Sequence, residues 1–171
     1  MILCDTEIRA LCSEGLVTPY DPRLVNPASL DVRLGYELMV EVEEYPDLIP
    51  IDIAGHTQTN PFLLRPGEFV LGCTIETFNL PVDIAAQFAL KSTRARQGIE
   101  HLMAGYCDPG WNGSKLTLEL QNARRMHSVA LWPEMPIGQL VFHRMSKVPA
   151  RDYSHTGHYN NDLSVQSAKY V

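Results

Sequence analysis

The sequence predicts an all-β fold, a barrel or sandwich with one short N-terminal helix, and two observations carry that reading. The first is a series of short apolar runs of alternating character, each closed by Pro or Gly. They are Leu30 to Leu34, Leu38 to Val42, Phe69 to Ile75, Ile84 to Phe88, Leu116 to Leu120, Val129 to Trp132 and Ile137 to Phe142. That rhythm suits short antiparallel strands around one core. The second is size: 171 residues, 45% of them hydrophobic, make one domain over 1–171. A chain of this length buries roughly two thirds of its unfolded surface and folds without staples.

The single sizeable helix expected comes first. Asp5 followed by Ile8, Leu11 and Cys12 at helical spacing, then Gly15, reads as a helix capped at each end. The strands follow in the order above, and the polar, turn-rich stretches between them are where binding residues are expected. From Arg151 onward the chain becomes polar, with Tyr153, Tyr159 and Tyr170 among Ser, His and Asn. Composition favours a frayed terminus over the alternative, a lid spanning 151–171 that orders over ligand.

A net charge of -6 argues against broad nucleic-acid or anionic-membrane binding. Cys4, Cys12, Cys73 and Cys107 are scattered without a C-x-x-C, which suits a reducing cytoplasm. No apolar run approaches the ~20 residues needed to span a bilayer.

Against that acidic background, Lys91-Ser92-Thr93-Arg94-Ala95-Arg96 stands out: three cations and two hydroxyls with no acid between Gln87 and Gly98. This is equipment for holding a run of phosphates. Further on, Asp108-Pro109-Gly110-Trp111 supplies one carboxylate in a turn. The run Leu116-Thr117-Leu118-Glu119-Leu120 supplies another: its leucines face one side, leaving Thr117, Glu119 and Gln121 on the other.

The order of these motifs resembles the family that contains dCTP deaminase and the trimeric dUTPases, over nearly the whole chain. Leu3-Cys4-Asp5, the block Asn26 to Gly35, Arg65-Pro66-Gly67-Glu68, Thr74-Ile75-Glu76, Leu80-Pro81 and Ile137-Gly138-Gln139-Leu140 carry the resemblance together with the Lys91, Asp108 and Glu119 segments. The resemblance implies a distorted, dUTPase-like β-barrel or jelly roll. It also implies a homotrimer with sites at subunit boundaries and a Mg²⁺-complexed deoxynucleoside triphosphate as substrate. The metal would be held mainly by phosphate oxygens and water, so no acidic cage is required.

By the same resemblance, Lys91, Ser92, Thr93 and Arg96 match the phosphate-binding signature. Glu119 matches the glutamate that takes a proton from the water attacking C4 of cytosine. Ser92, Arg96 and the backbone near Ala104 match positions that help activate that water, and Asp108 matches an aspartate at the deoxyribose. Thr117, Leu118, Tyr153 and His158 complete the substrate-binding set, and His101 matches a histidine near the site. The H-x-E and P-C-x-x-C of zinc deaminases are absent. The implied activity is therefore zinc-independent deamination of dCTP to dUTP. Ala104-Gly105-Tyr106 resembles the bifunctional enzymes that continue to dUMP, whereas deaminases that stop at dUTP tend to carry His-Arg there.

Three departures keep alternatives open. Leu90 replaces a usual glycine, one residue more than usual separates Asp108 from Glu119, and in the tail His158 and Asp162 stand where lysine and glutamine are expected. An insertion inside a strand would turn Glu119 to the wrong face; one absorbed in the Asn112-Gly113-Ser114 turn or a bulge would not. The alternatives are a dUTPase or other nucleotide diphosphatase, and a catalytically silent nucleotide-binding regulator.

Overall fold

The computed structural model describes residues 1–169, so Tyr170 lies outside the described residues. The chain opens with helix α1 (Asp5–Ser13), strand β1 (Val17–Thr18), a 3-10 turn at Pro22–Leu24 and β2 (Val25–Asn26). The long strand β3 (Ser29–Val42) is followed by β4 (Tyr45–Asp52), β5 (Phe62–Leu64), β6 (Phe69–Asn79) and β7 (Ile84–Leu90). Next come helix α2 (Ser92–Gln97), β8 (Ile99–His101), β9 (Tyr106–Cys107) and β10 (Asn112–Asn122). The order ends with β11 (Val129–Leu131), β12 (Pro136–Arg144) and helix α3 (Tyr153–Thr156).

All the strand pairings are antiparallel, and a ten-stranded sheet runs β8-β10-β6-β3-β12-β7-β9, with β1 on β6 and β2 and β4 on β3. Strand β3 turns the sheet back on itself. Its first part, Leu30 to Arg33, pairs with β12, whereas Leu34 to Val40 pair with β6. The two predicted runs Leu30–Leu34 and Leu38–Val42 are thus one strand. The break at Gly35-Tyr36 is a register shift against β6, of the kind that bends a strand rather than ending it. Strand β4 escaped the sequence reading because it pairs only with β3, at an edge, and its exposed residues show no alternation.

The leucines of β10 and β3 face a common core with Ile8, Phe78 and Phe142, each fully buried, and close packing of these apolar side chains is the main source of stability. Helix α1 closes one end. Its N-cap is Cys4, one residue before the expected Asp5, because the Glu7 carboxylate accepts from the Cys4 backbone N–H at 3.1 Å. Inside the barrel Glu76 is only 1% exposed, and it accepts from both the backbone N–H and Nε of Arg33, at 3.0 and 2.8 Å.

The polar tail is packed, not frayed. Trp111 Nε1 donates to the Tyr159 carbonyl at 2.7 Å, and the Asn161 amide to the Asn112 carbonyl at 3.0 Å. The Lys115 amide donates to the Asp162 carbonyl at 2.8 Å, and the Gln166 amide to Thr117 Oγ1 at 3.2 Å. Composition misreads this segment because hydrogen bonds to β10 hold it, with Val165 the one buried residue in an apolar cluster among the described residues of the tail.

Candidate active site

In β10 the burial pattern alternates: Leu116, Leu118 and Leu120 point into the core, and Thr117 and Glu119 face outward, as the sequence reading requires. Register shifts against β6 occur between Asn112 and Ser114 and between Lys115 and Thr117, whereas Thr117 through Gln121 pair regularly with Cys73 through Phe69. The irregularities thus lie upstream of Glu119 and leave its face unchanged.

Thr117 and Glu119 line a cavity of about 870 Å³. Ala104, Tyr106 and Asp108 from the β8–β10 connection line the same cavity, as do Tyr153, Tyr159 and Asp162 from the tail. Lys115 is the one cation among its described lining residues, while Met39, Leu48, Phe69 and Leu71 give it an apolar side. A cavity of this size, largely apolar with a few convergent polar groups, suits a small organic ligand.

Asp108 is exposed, so its carboxylate is free to meet a ligand, and the turn that carries it is closed by the Trp111 amide donating to the Asp108 carbonyl at 3.2 Å. Trp111 is in turn fixed by stacking on Phe78, centroids 5.8 Å apart. Neighbouring Cys107 is buried, and that desolvation pushes its thiol up to about 12. On the tail side, burial raises the Tyr153 hydroxyl above its ordinary range. Asp162 is paired with Lys169 at 2.7 Å, so its charge is already met within the tail.

Glu119 Oε2 lies 3.1 Å from His101 Nε2, and the side chains are 24% and 5% exposed. Among the described residues neither atom has a hydrogen-bond partner: they are within reach of each other but out of line. His101 belongs to a second cavity of about 490 Å³, also lined by Leu90, Ala95 and Gly98, and Tyr106 borders both. The Glu119–His101 contact therefore sits where the two cavities meet. Gly105 is required nearby: its carbonyl accepts from the Phe88 amide at 2.7 Å, and a Cβ there would fall 2.5 Å from Phe88 Cβ.

The cationic segment is elsewhere. Ser92, Thr93 and Arg96 are exposed on the six-residue α2 and do not line the larger cavity. Lys91, just before this helix, has its ammonium bonded to Asp31, which also accepts from Asn26 Nδ2 at 2.8 Å. Its charge is thus already answered by the Asn26–Asp31 block. Leu90 ends β7 opposite Gly138 and packs against the core. Leu118 has its side chain in the core and does not line the larger cavity, and His158 is exposed outside it.

Sequence reasoning missed Lys115, Tyr159 and the Lys169–Asp162 pair. Lys115 was findable, because the alternation that places Thr117 and Glu119 outward extends one step back to it. Among the described residues no cluster of three or more His, Cys, Asp or Glu is placed to hold a metal, and no helix is long and apolar enough to cross a membrane.

A family model described as dCTP deaminase-like matches residues 2–145. The chain belongs to that family. It is 40% identical over 170 residues to a dCTP deaminase, dUMP-forming, of Clavibacter michiganensis, covering 93% of this chain and 83% of the relative. Similar relatives with the same name come from Acidothermus cellulolyticus, 41% identical over 164 residues and covering 90% of this chain and 85% of the relative, and Streptomyces avermitilis, 42% over 157, covering 85% and 81%. Among solved structures, the 2'-deoxycytidine 5'-triphosphate deaminase of Agrobacterium tumefaciens superposes with a TM-score of 0.68 at 24% identity. That superposition covers 85% of this chain and 49% of the solved one. A dUTPase, EIAV dUTPase, superposes with a TM-score of 0.51 at 12% identity, covering 80% and 89%. At those identities the superpositions establish the fold, a deaminase- and dUTPase-like curled β-sheet.

Proposed function

We propose that this protein converts dCTP to dUMP in two hydrolytic steps: dCTP and water give dUTP and ammonia, then dUTP and water give dUMP and diphosphate. The observation that carries the reading is the placement of Glu119 on the cavity wall with Asp108 and Tyr106. Glu119 takes a proton from water as the oxygen attacks C4 of the cytosine. It then returns a proton to the departing amine, so the carboxylate ends as it began. Asp108, exposed in the same cavity, orients the deoxyribose and the water for the second step. The dUMP-forming relatives support continuation past dUTP, as does Ala104-Gly105-Tyr106, whose glycine is needed for the approach to Phe88.

A triphosphate carries about four negative charges, and cationic donors must neutralise them. Within one chain the larger cavity offers Lys115, whereas Ser92, Thr93 and Arg96 stand on α2 outside it. A homotrimer that brings α2 of one copy to the cavity of the next supplies the missing donors. Mg²⁺ held mainly by phosphate oxygens and water would neutralise further phosphate charge, and a metal held in that way requires no protein cage. The tail residues Tyr153 and Tyr159 line the same cavity and are available to contact the nucleotide.

The test is Glu119→Gln, which keeps the shape and removes the base. Ammonia release from dCTP should fall at least ~100-fold, while supplied dUTP is still hydrolysed to dUMP. Unchanged ammonia release would remove Glu119 from the reaction. Turnover of dUTP alone by the unaltered protein would make it a dUTPase, and binding without turnover of either nucleotide a regulator.

A further inference from the structure

We infer that His101 is a positioning residue for Glu119, its Nε2–H donating to Oε2 so that the other carboxylate oxygen is the one that takes the proton from water. This rests on Glu119 being the base. Four observations carry it. The two atoms are 3.1 Å apart, and among the described residues neither has another hydrogen-bond partner. A buried polar atom left unpaired costs free energy, so two such atoms facing each other at hydrogen-bond reach are a bond awaiting alignment. Catalytic contacts of this sort are commonly misaligned without ligand and tighten when substrate fills the site.

The histidine ring is held on three sides. Its backbone pairs with Leu120, the neighbour of Glu119 on β10. Phe88 lies against the ring, centroids 4.5 Å apart and planes tilted by 42°, and the Gly105 turn closes the third side, where an added Cβ would come within 3.5 Å of His101 Cε1. The Leu102 amide bonds the Glu119 carbonyl at 3.2 Å, so strand and turn hold both side chains in one register. Glu119 lines the larger cavity and His101 the smaller, so the contact holds the carboxylate at their boundary, and with Oε2 engaged by His101 the oxygen left for water is Oε1. His101 does not touch substrate in this arrangement; it acts through Glu119.

The test compares His101→Phe, which keeps a ring against Phe88 but has no donor, with His101→Gln, whose amide Nε2–H can reach the place of the imidazole one. Both are assayed for ammonia release from dCTP with Mg²⁺, and dCTP binding is measured by calorimetry. The expected result is a fall in kcat of at least ~10-fold in His101→Phe with little change in dCTP affinity, and substantial recovery in His101→Gln. In a Glu119→Gln background His101→Phe should cost nothing more. Full kcat in His101→Phe overturns the inference, and so does equal loss in both variants. If His101→Phe fails to fold, His101→Met, also without a donor, replaces it in the same comparison. Retained deamination in Glu119→Gln would instead overturn the reading of Glu119 as base, a separate outcome.

Discussion

Trp111 and Tyr159 join the start of β10 to the tail: the indole N–H of Trp111, just before that strand, donates to the Tyr159 carbonyl at 2.7 Å while its ring stacks on Phe78 in the core. The tail is therefore fastened from inside the barrel. Replacing Trp111 by Phe keeps an aromatic against Phe78 and deletes the bond. A single hydrogen bond of this kind is worth roughly 0.5–1.5 kcal/mol. Amide hydrogen exchange of Asn161 and Asp162 should accelerate several-fold while the β6 amides stay protected; unchanged exchange in the tail would show that the other tail bonds suffice.

Buried Glu76 leads to a stability prediction. Its carboxylate meets both the Arg33 side chain and backbone N–H. Glu76→Leu leaves the largely buried guanidinium without its counter-ion, a change that costs about 3–5 kcal/mol. Urea unfolding should show that loss, and Glu76→Gln, which keeps hydrogen-bond acceptance, should lose less.

Acid should loosen the tail at α3. The Asp152 carboxylate accepts from the Ser154 side chain and backbone and from His155, and the Ser154 bonds foremost hold it below the usual carboxylate range. A carboxylate depressed in the folded state contributes stability that is present above its unfolded value and lost as pH falls through the folded one. Proteolysis near Tyr153 should therefore quicken below about pH 4, and Asp152→Asn should remove that pH dependence, raising the rate at neutral pH to a constant level.

Thiol reactivity should divide the cysteines sharply. Cys4 is exposed, whereas burial pushes the Cys12 and Cys73 thiols up to about 11 and Cys107 to about 12. At pH 8 a thiol reagent should modify one group in the folded protein and four after denaturation. Rapid modification of a second thiol in the folded state would contradict this packing.

Asp108→Asn should separate the two hydrolytic steps in the opposite sense from Glu119→Gln. Conversion of dCTP should yield dUTP that accumulates, with the diphosphate step slowed ~100-fold or more; chromatography of the nucleotide products reads this directly.

Much of this architecture was legible in residue order. Alternation in Leu116–Leu120 placed Glu119 outward, because strand side chains alternate whatever the rest of the fold does, and the structure agrees. Legibility ended where long-range contacts decide. Nothing local marks Gly35-Tyr36 as a bend within β3 rather than a turn, since the pairing that continues the strand comes from β6 and β12. The polar tail reads as loose because its anchors, Trp111, Ser114 and Thr117, lie 48 or 49 residues away. The Lys91 segment reads as a free run of cations, yet Asp31 of a distant motif answers its first charge. His101 matched a family histidine, but only the fold shows that it faces Glu119.

The most direct measurement is product analysis of the purified protein with Mg²⁺ and dCTP, following ammonia together with the phosphorus-31 signals of nucleotide and diphosphate. Equal amounts of ammonia, dUMP and diphosphate are the predicted result. Unconsumed dCTP, or dUTP hydrolysis without any ammonia from dCTP, would contradict the account.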